Sequence, residues 1–175
     1  MTLEEIEQLA EQYARKFNPG SIAPFPYENV VAAYPDLEIV HADLEDDNVS
    51  GVMLYEKEKF TILINTTKPE TRQNFTVGHE LAHYFLHKEQ LKADNGIVDN
   101  DSWLDGPNML YRADDMEKTQ LELEANNFAA TLLMPEDLLR RAWKAFGSIQ
   151  ECARIFRVSA VAMSIRLTKL GLIQE

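Results

Sequence analysis

Four histidines occur in the 175 residues, and two of them frame a glutamate in His79-Glu80-Leu81-Ala82-His83. On a helix, positions i and i+4 share one face, one turn apart. Two imidazoles so placed can reach one ion at the ~2.0–2.1 Å of a Zn–N bond. Glu80 directly follows the first of them and would flank the open coordination position. There it could take a proton from the attacking water and pass it to the leaving amine. The chemistry this pattern predicts is metal-assisted hydrolysis of an amide. The plain alternative is two helical histidines that cap or pair with nearby carboxylates, because a bare HExxH also arises by chance.

A catalytic zinc takes a third protein ligand, from a carboxylate or another histidine. His87 lies two turns beyond His79. Each turn advances ~5.4 Å, too far for all three imidazoles to close around one ion. His87 is therefore expected to support the site or the fold, and no histidine follows it. The stretch Leu121-Glu122-Leu123-Glu124-Ala125-Asn126-Asn127-Phe128 offers two carboxylates. On a helix they point about 200° apart, so only one can face the ion. Glu122 is favoured and Glu124 is the alternative, because Asn126 sits one turn from Glu122 and could hold a ligand histidine in place. Each glutamate could equally be a solvated surface residue. The expected cofactor is one Zn2+ per chain.

These side chains need helices to carry them and a sheet to back them. Thr2 and Glu5 form a capping-box pattern, followed by apolar residues at helical spacing to Phe17 and a stop at Asn18-Pro19-Gly20. A short helix is expected over 28–34. Strands are expected over 37–41, 51–56 and 60–65, the last two forming a hairpin around Lys57-Glu58-Lys59. Pro69 opens the helix that carries the histidines, which runs to about residue 87. Turn-forming residues make 88–115 an irregular loop, with a short strand at Met109-Leu110-Tyr111. Helices then follow over 116–134, 136–146, 148–156 and 159–170, divided by Pro135 and Gly147.

The net charge of −12 opposes nucleic acid as a partner. Residues 148–175 depart from it: four cations face two carboxylates there, a net of +2, which leaves −14 on the rest. With Phe156-Arg157-Val158-Ser159 as the turn, this segment has the cadence of a helix-turn-helix. So few cations favour a packing or docking module over a DNA reader. No apolar run approaches the ~20 residues that span a bilayer, and the acidic start lacks a signal peptide's basic region. One cysteine, Cys152, forms no internal disulfide and suits a cytoplasmic protein, where it is expected to be a core residue. Trp103 and Trp143 are expected to pack, and His41 to be an ordinary strand histidine. Asp99, Asp101 and Asp105 lack the spacing of a calcium loop and are expected in a solvated turn. Tyr111 and Arg112 are candidates to line a substrate cleft and stabilise an oxyanion, although a packed tyrosine and a solvated arginine are the plainer reading.

Thr76-Val77-Gly78-His79-Glu80-Leu81-Ala82-His83-Tyr84 resembles the active-site helix of the ImmA/IrrE family of metallopeptidases. The stretch from Glu122 through Leu132-Leu133-Met134-Pro135 resembles that family's second signature. Two motifs in this order are more specific than HExxH alone. The similarity covers about 60–172. The resemblance implies a gluzincin-like site, with His79 and His83 as ligands, Glu80 as base and a later glutamate as third ligand. The four-residue spacing to Asn126 again points to Glu122. It further implies a zinc-dependent endopeptidase that cleaves a helix-turn-helix transcriptional repressor of a phage, mobile element or stress operon. The competing expectation is a non-catalytic regulatory or antitoxin-like binding protein of the same fold. The expected architecture is α+β: a small antiparallel or mixed sheet packed on helices that carry the site. A metallopeptidase domain is expected over 1–147, with the helix-turn-helix-like segment 148–175 packed on it.

Overall fold

The structure, a computed structural model, describes residues 1–94, 96–100 and 116–174. The elements in chain order are α1 (Leu3–Phe17), α2 (Glu28–Ala33), β1 (Leu37–Ala42), β2 (Val49–Glu56), β3 (Lys59–Asn65), α3 (Glu70–Leu86), α4 (Lys88–Asp94), β4 (Gly96–Asn100), α5 (Met116–Leu133), α6 (Glu136–Phe146), α7 (Ile149–Phe156) and α8 (Ala160–Lys169). The fold is α+β, a small sheet against helices. The sheet is mixed, in the order β1-β3-β2-β4. β1 runs parallel to β3, and β2 is antiparallel to both β3 and β4.

Local chemistry accounts for several of these elements. Thr2 accepts a hydrogen bond from the Glu5 amide, and Glu5 accepts one from the Thr2 amide, so two orphan donors at the start of α1 are satisfied. Ile6, Ala10, Ala14 and Phe17 form the buried stripe of α1. The β2–β3 turn is Lys57-Glu58, both with positive φ (50° and 64°). Left-handed geometry at both central positions matches the twist of the paired strands. Alternation along β3 puts Phe60, Ile62 and Ile64 on the buried face. Asn65 ends that strand as a hub: its amide donates to the carbonyls of Val49 and Asp46, and its oxygen accepts from the amide and hydroxyl of Thr67.

α3 lies between the sheet and α5 and is buried continuously from Thr76 to Tyr84. Phe85 of α3 stacks on Tyr13 of α1, with ring centroids 4.2 Å apart, and also meets Phe128 of α5. Close approach of α3 and α5 depends on Gly78, where a Cβ would lie 3.1 Å from Leu133 Cδ1. The start of α3 is tied to the turn between α7 and α8, because the Asn74 amide donates to the carbonyls of Phe156 and Arg157. Arg166 of α8 is buried. It donates to the Met134 carbonyl and pairs with Glu7 and Glu11 of α1.

The structure corrects the expected loop over 88–115. Its first part forms α4 and β4. The α4 helix is nucleated on the end of α3, where the Leu91 amide donates to the His87 carbonyl and Leu91 is fully buried. Strand β4 exists because β2 offers it a free edge, which the turn-rich sequence of 94–101 does not announce. Asp99 accordingly sits in a strand paired to Gly51, not in a solvated turn. The expected strand at 109–111, Trp103, Asp101 and Asp105 lie outside the described residues. Cys152 is buried in the core, and burial pushes its thiol pKa up. Trp143 is half-buried against the core, and His41 is exposed on the edge strand β1. Among the described residues no helix is long and apolar enough to cross a membrane.

Candidate metal centre

Helix α3 presents His79 and His83 one turn apart on the side facing α5, and α5 presents Glu122 to them. All three side chains are buried. His79 Nε2 and His83 Nε2 are 3.0 Å apart. Glu122 Oε2 is 3.1 Å from His79 Nε2, and Glu122 Oε1 is 3.6 Å from His83 Nε2. Donors of a tetrahedral zinc at ~2.0–2.1 Å are separated by roughly 3.3 Å, and one ligand atom from each of the three residues lies within 4.8 Å of the other two, close enough to share one ion.

Proton placement supports the same conclusion. His79 Nδ1 lies 2.9 Å from Asn126 Oδ1, an acceptor. Nδ1 therefore carries the hydrogen, and Nε2 presents a lone pair to the cluster. Glu122 Oε2 is buried and accepts no hydrogen bond from the described residues. A buried carboxylate facing imidazole lone pairs is costly without a cation between them. A cation there would keep Glu122 ionised, as a zinc ligand must be. Among the described residues these three form the group able to hold a metal.

Glu124, the alternative third ligand, is turned away from this cluster. Its Oε2 is 3.1 Å from His87 Nε2, and its Oε1 accepts from the Gln120 amide at 2.8 Å. His87 in turn places Nδ1 2.9 Å from His83 Nδ1. Burial pushes the His87 pKa down, against the pull of its hydrogen bond to Glu124. Tyr111 and Arg112 lie outside the described residues.

Glu80 is wholly buried, on the side of α3 that faces β2. Gly51 of β2 makes room for it. A Cβ at that position would lie 2.5 Å from Thr76 Cγ2 and 3.3 Å from Glu80 Oε1. Gly51 is a site residue that sequence reasoning missed, since nothing local distinguishes it from any strand glycine. Gly51→Ala is expected to destabilise the protein by about 1–3 kcal/mol, the usual range for overpacking, and to lower activity while zinc content is retained. Thermal unfolding and metal analysis of one preparation check this. An unchanged Tm would mean that the sheet yields to the added methyl.

The fold and the His79–His83–Glu122 triad are consistent with the active site of a zinc metallopeptidase of the HExxH type. The model of the peptidase M78 family, the IrrE N-terminal-like domain, matches residues 32–168, and the chain belongs to that family. It is 27% identical over 135 residues to metallopeptidase ImmA of Bacillus subtilis, covering 76% of this chain and 70% of that protein. It is 32% identical over 112 residues to the radiation response metalloprotease IrrE of Deinococcus deserti, covering 62% of this chain and 36% of that one. A Mycobacterium tuberculosis transcriptional regulator shares the fold, with a TM-score of 0.62 at 14% identity over 96% of this chain and 52% of its own. The chain therefore spans about a third of the IrrE protein and about half of the regulator.

Proposed function

We propose that the protein is a zinc-dependent endopeptidase that cleaves a helix-turn-helix transcriptional repressor of a phage, mobile element or stress operon in the cytoplasm. The observation that carries the peptidase reading is the convergence of the buried side chains of His79, His83 and Glu122, with ligand atoms 3.0–3.6 Å apart. The names of two relatives, a metallopeptidase and a radiation response metalloprotease, support the peptidase class and the stress setting.

In this reading His79, His83 and Glu122 hold the ion, and Asn126 fixes the ring of His79 through its Nδ1–H. Bound zinc supplies a Lewis acid for the scissile carbonyl and lowers the pKa of a water molecule to ~7. Glu80 would act as the general base, taking a proton from the attacking water at its carboxylate and delivering it to the departing nitrogen. Its burial beside Gly51 keeps the carboxylate in one position.

The segment 148–175 packs on the peptidase domain 1–147 and does not read DNA. Two of its four cations are committed internally, Arg166 to Glu7 and Glu11 and Lys169 to Glu7 and Asn127, and the exposed Arg154 and Arg157 pair with Glu151 and Glu70. The outer face of α8 instead exposes Val161 and Ile165. Phosphate binding needs free cations, which this face lacks.

Incubation of the zinc-loaded protein with the helix-turn-helix protein encoded beside it tests the substrate. One discrete cut, abolished by a chelator and restored by zinc, is expected. An intact repressor, with the zinc-loaded protein competent on an unrelated unfolded polypeptide, would overturn the substrate assignment.

A further inference from the structure

His83 and His87 are one turn apart, and their Nδ1 atoms face each other at 2.9 Å, so one hydrogen lies between two nitrogens. Which ring owns it decides whether His83 can bind a metal. If His83 carries the hydrogen on Nδ1, its Nε2 has a lone pair for the ion. If His87 carries it, neutral His83 is protonated on Nε2 and is useless as a ligand. The far side of His87 settles the matter. Its Nε2 lies 3.1 Å from Glu124 Oε2, and an ionised carboxylate only accepts. His87 Nε2 therefore donates to Glu124, and because His83 Nε2 is the atom turned toward His79 and Glu122, the hydrogen between the rings sits on His83 Nδ1 and His87 Nδ1 accepts it. Gln120, donating to the other oxygen of Glu124 at 2.8 Å, steadies the carboxylate.

We propose that Glu124 and His87 are positioning residues: a carboxylate–histidine chain that selects the metal-binding tautomer of His83 and holds its ring against the ion. The two ligand imidazoles are thus held differently, His79 by the neutral amide of Asn126 and His83 by an anion acting through a second imidazole. The anion makes His83 the more basic ligand of the pair. His87 is 3% exposed, so water cannot readily replace it as the acceptor for His83. The inference rests on the metallopeptidase reading, since the tautomer matters only if Nε2 of His83 meets a metal.

The test is nitrogen NMR of 15N-histidine-labelled, zinc-loaded protein, joined to zinc affinity by chelator competition. Neither needs a substrate. His83 is expected as the Nδ1–H form and His87 as the Nε2–H form. Glu124→Leu and His87→Phe are expected to lower zinc affinity by roughly 10–100-fold, the usual effect of losing the group that holds a metal-bound histidine. Glu124→Gln keeps an oxygen that can accept from His87, so it should retain the tautomers and most of the affinity. That rescue separates positioning from mere packing. The wild-type tautomers are read without any variant, so a poorly folding substitution does not spare the proposal. His87 found as the Nδ1–H form, or Glu124→Leu binding zinc as tightly as wild type, would overturn the relay alone. Wild-type protein that binds no zinc would overturn the peptidase reading as well.

Discussion

Glu80→Gln should still carry about one zinc per chain and lose peptide cleavage by roughly 10²–10⁴-fold, the usual contribution of a positioned general base. The amide has the volume of the carboxylate, so the packing against Thr76 and Gly51 is preserved. The three ligand atoms lie on other side chains, so the ion has no reason to leave. What disappears is the proton acceptor. Turnover of the repressor substrate and metal content, measured on one preparation, separate the two effects. Full proteolysis by the variant would remove Glu80 from the mechanism.

Glu122→Ala should have the opposite signature, losing zinc first and activity as a consequence. It deletes the one anion of the triad and leaves two buried imidazoles without it. Zinc binding stabilises the folded chain by linkage, about 4 kcal/mol when the free ion is a thousandfold above Kd. Wild-type protein should therefore show a zinc-dependent rise in Tm that Glu122→Ala lacks. Glu124→Ala should keep part of that rise, because Glu124 acts at one remove through His87. Equal zinc responses in wild type and Glu122→Ala would mean that the third ligand is another residue.

The parts of this molecule that could be read from the sequence are those fixed by neighbours along the chain. The capping box at Thr2 and Glu5, the β2–β3 hairpin and the i, i+4 histidines are local patterns, and each appears in place. The choice between Glu122 and Glu124 was half legible. Helical geometry says that the two diverge, and Asn126 one turn from Glu122 breaks the tie; the structure sends Glu122 to the histidines and Glu124 to His87. Other features depend on partners distant in sequence. β4 is a strand because β2 has an edge to fill, although Gly96, Asp99 and Asn100 among its five residues favour turns. Gly51 matters because Thr76 and Glu80 occupy the space its side chain would take. The cations of the C-terminal helices look available in sequence, yet Arg166 and Lys169 are engaged by acidic residues of α1, more than 150 positions away.

Diffraction from zinc-loaded crystals at the zinc absorption edge tests the convergence itself. A single anomalous peak is expected within ~2.0–2.2 Å of His79 Nε2, His83 Nε2 and a Glu122 carboxylate oxygen, with Glu124 on His87 and off the metal. A peak held by His87 or Glu124 in place of any of these ligands, or none between α3 and α5, would contradict it.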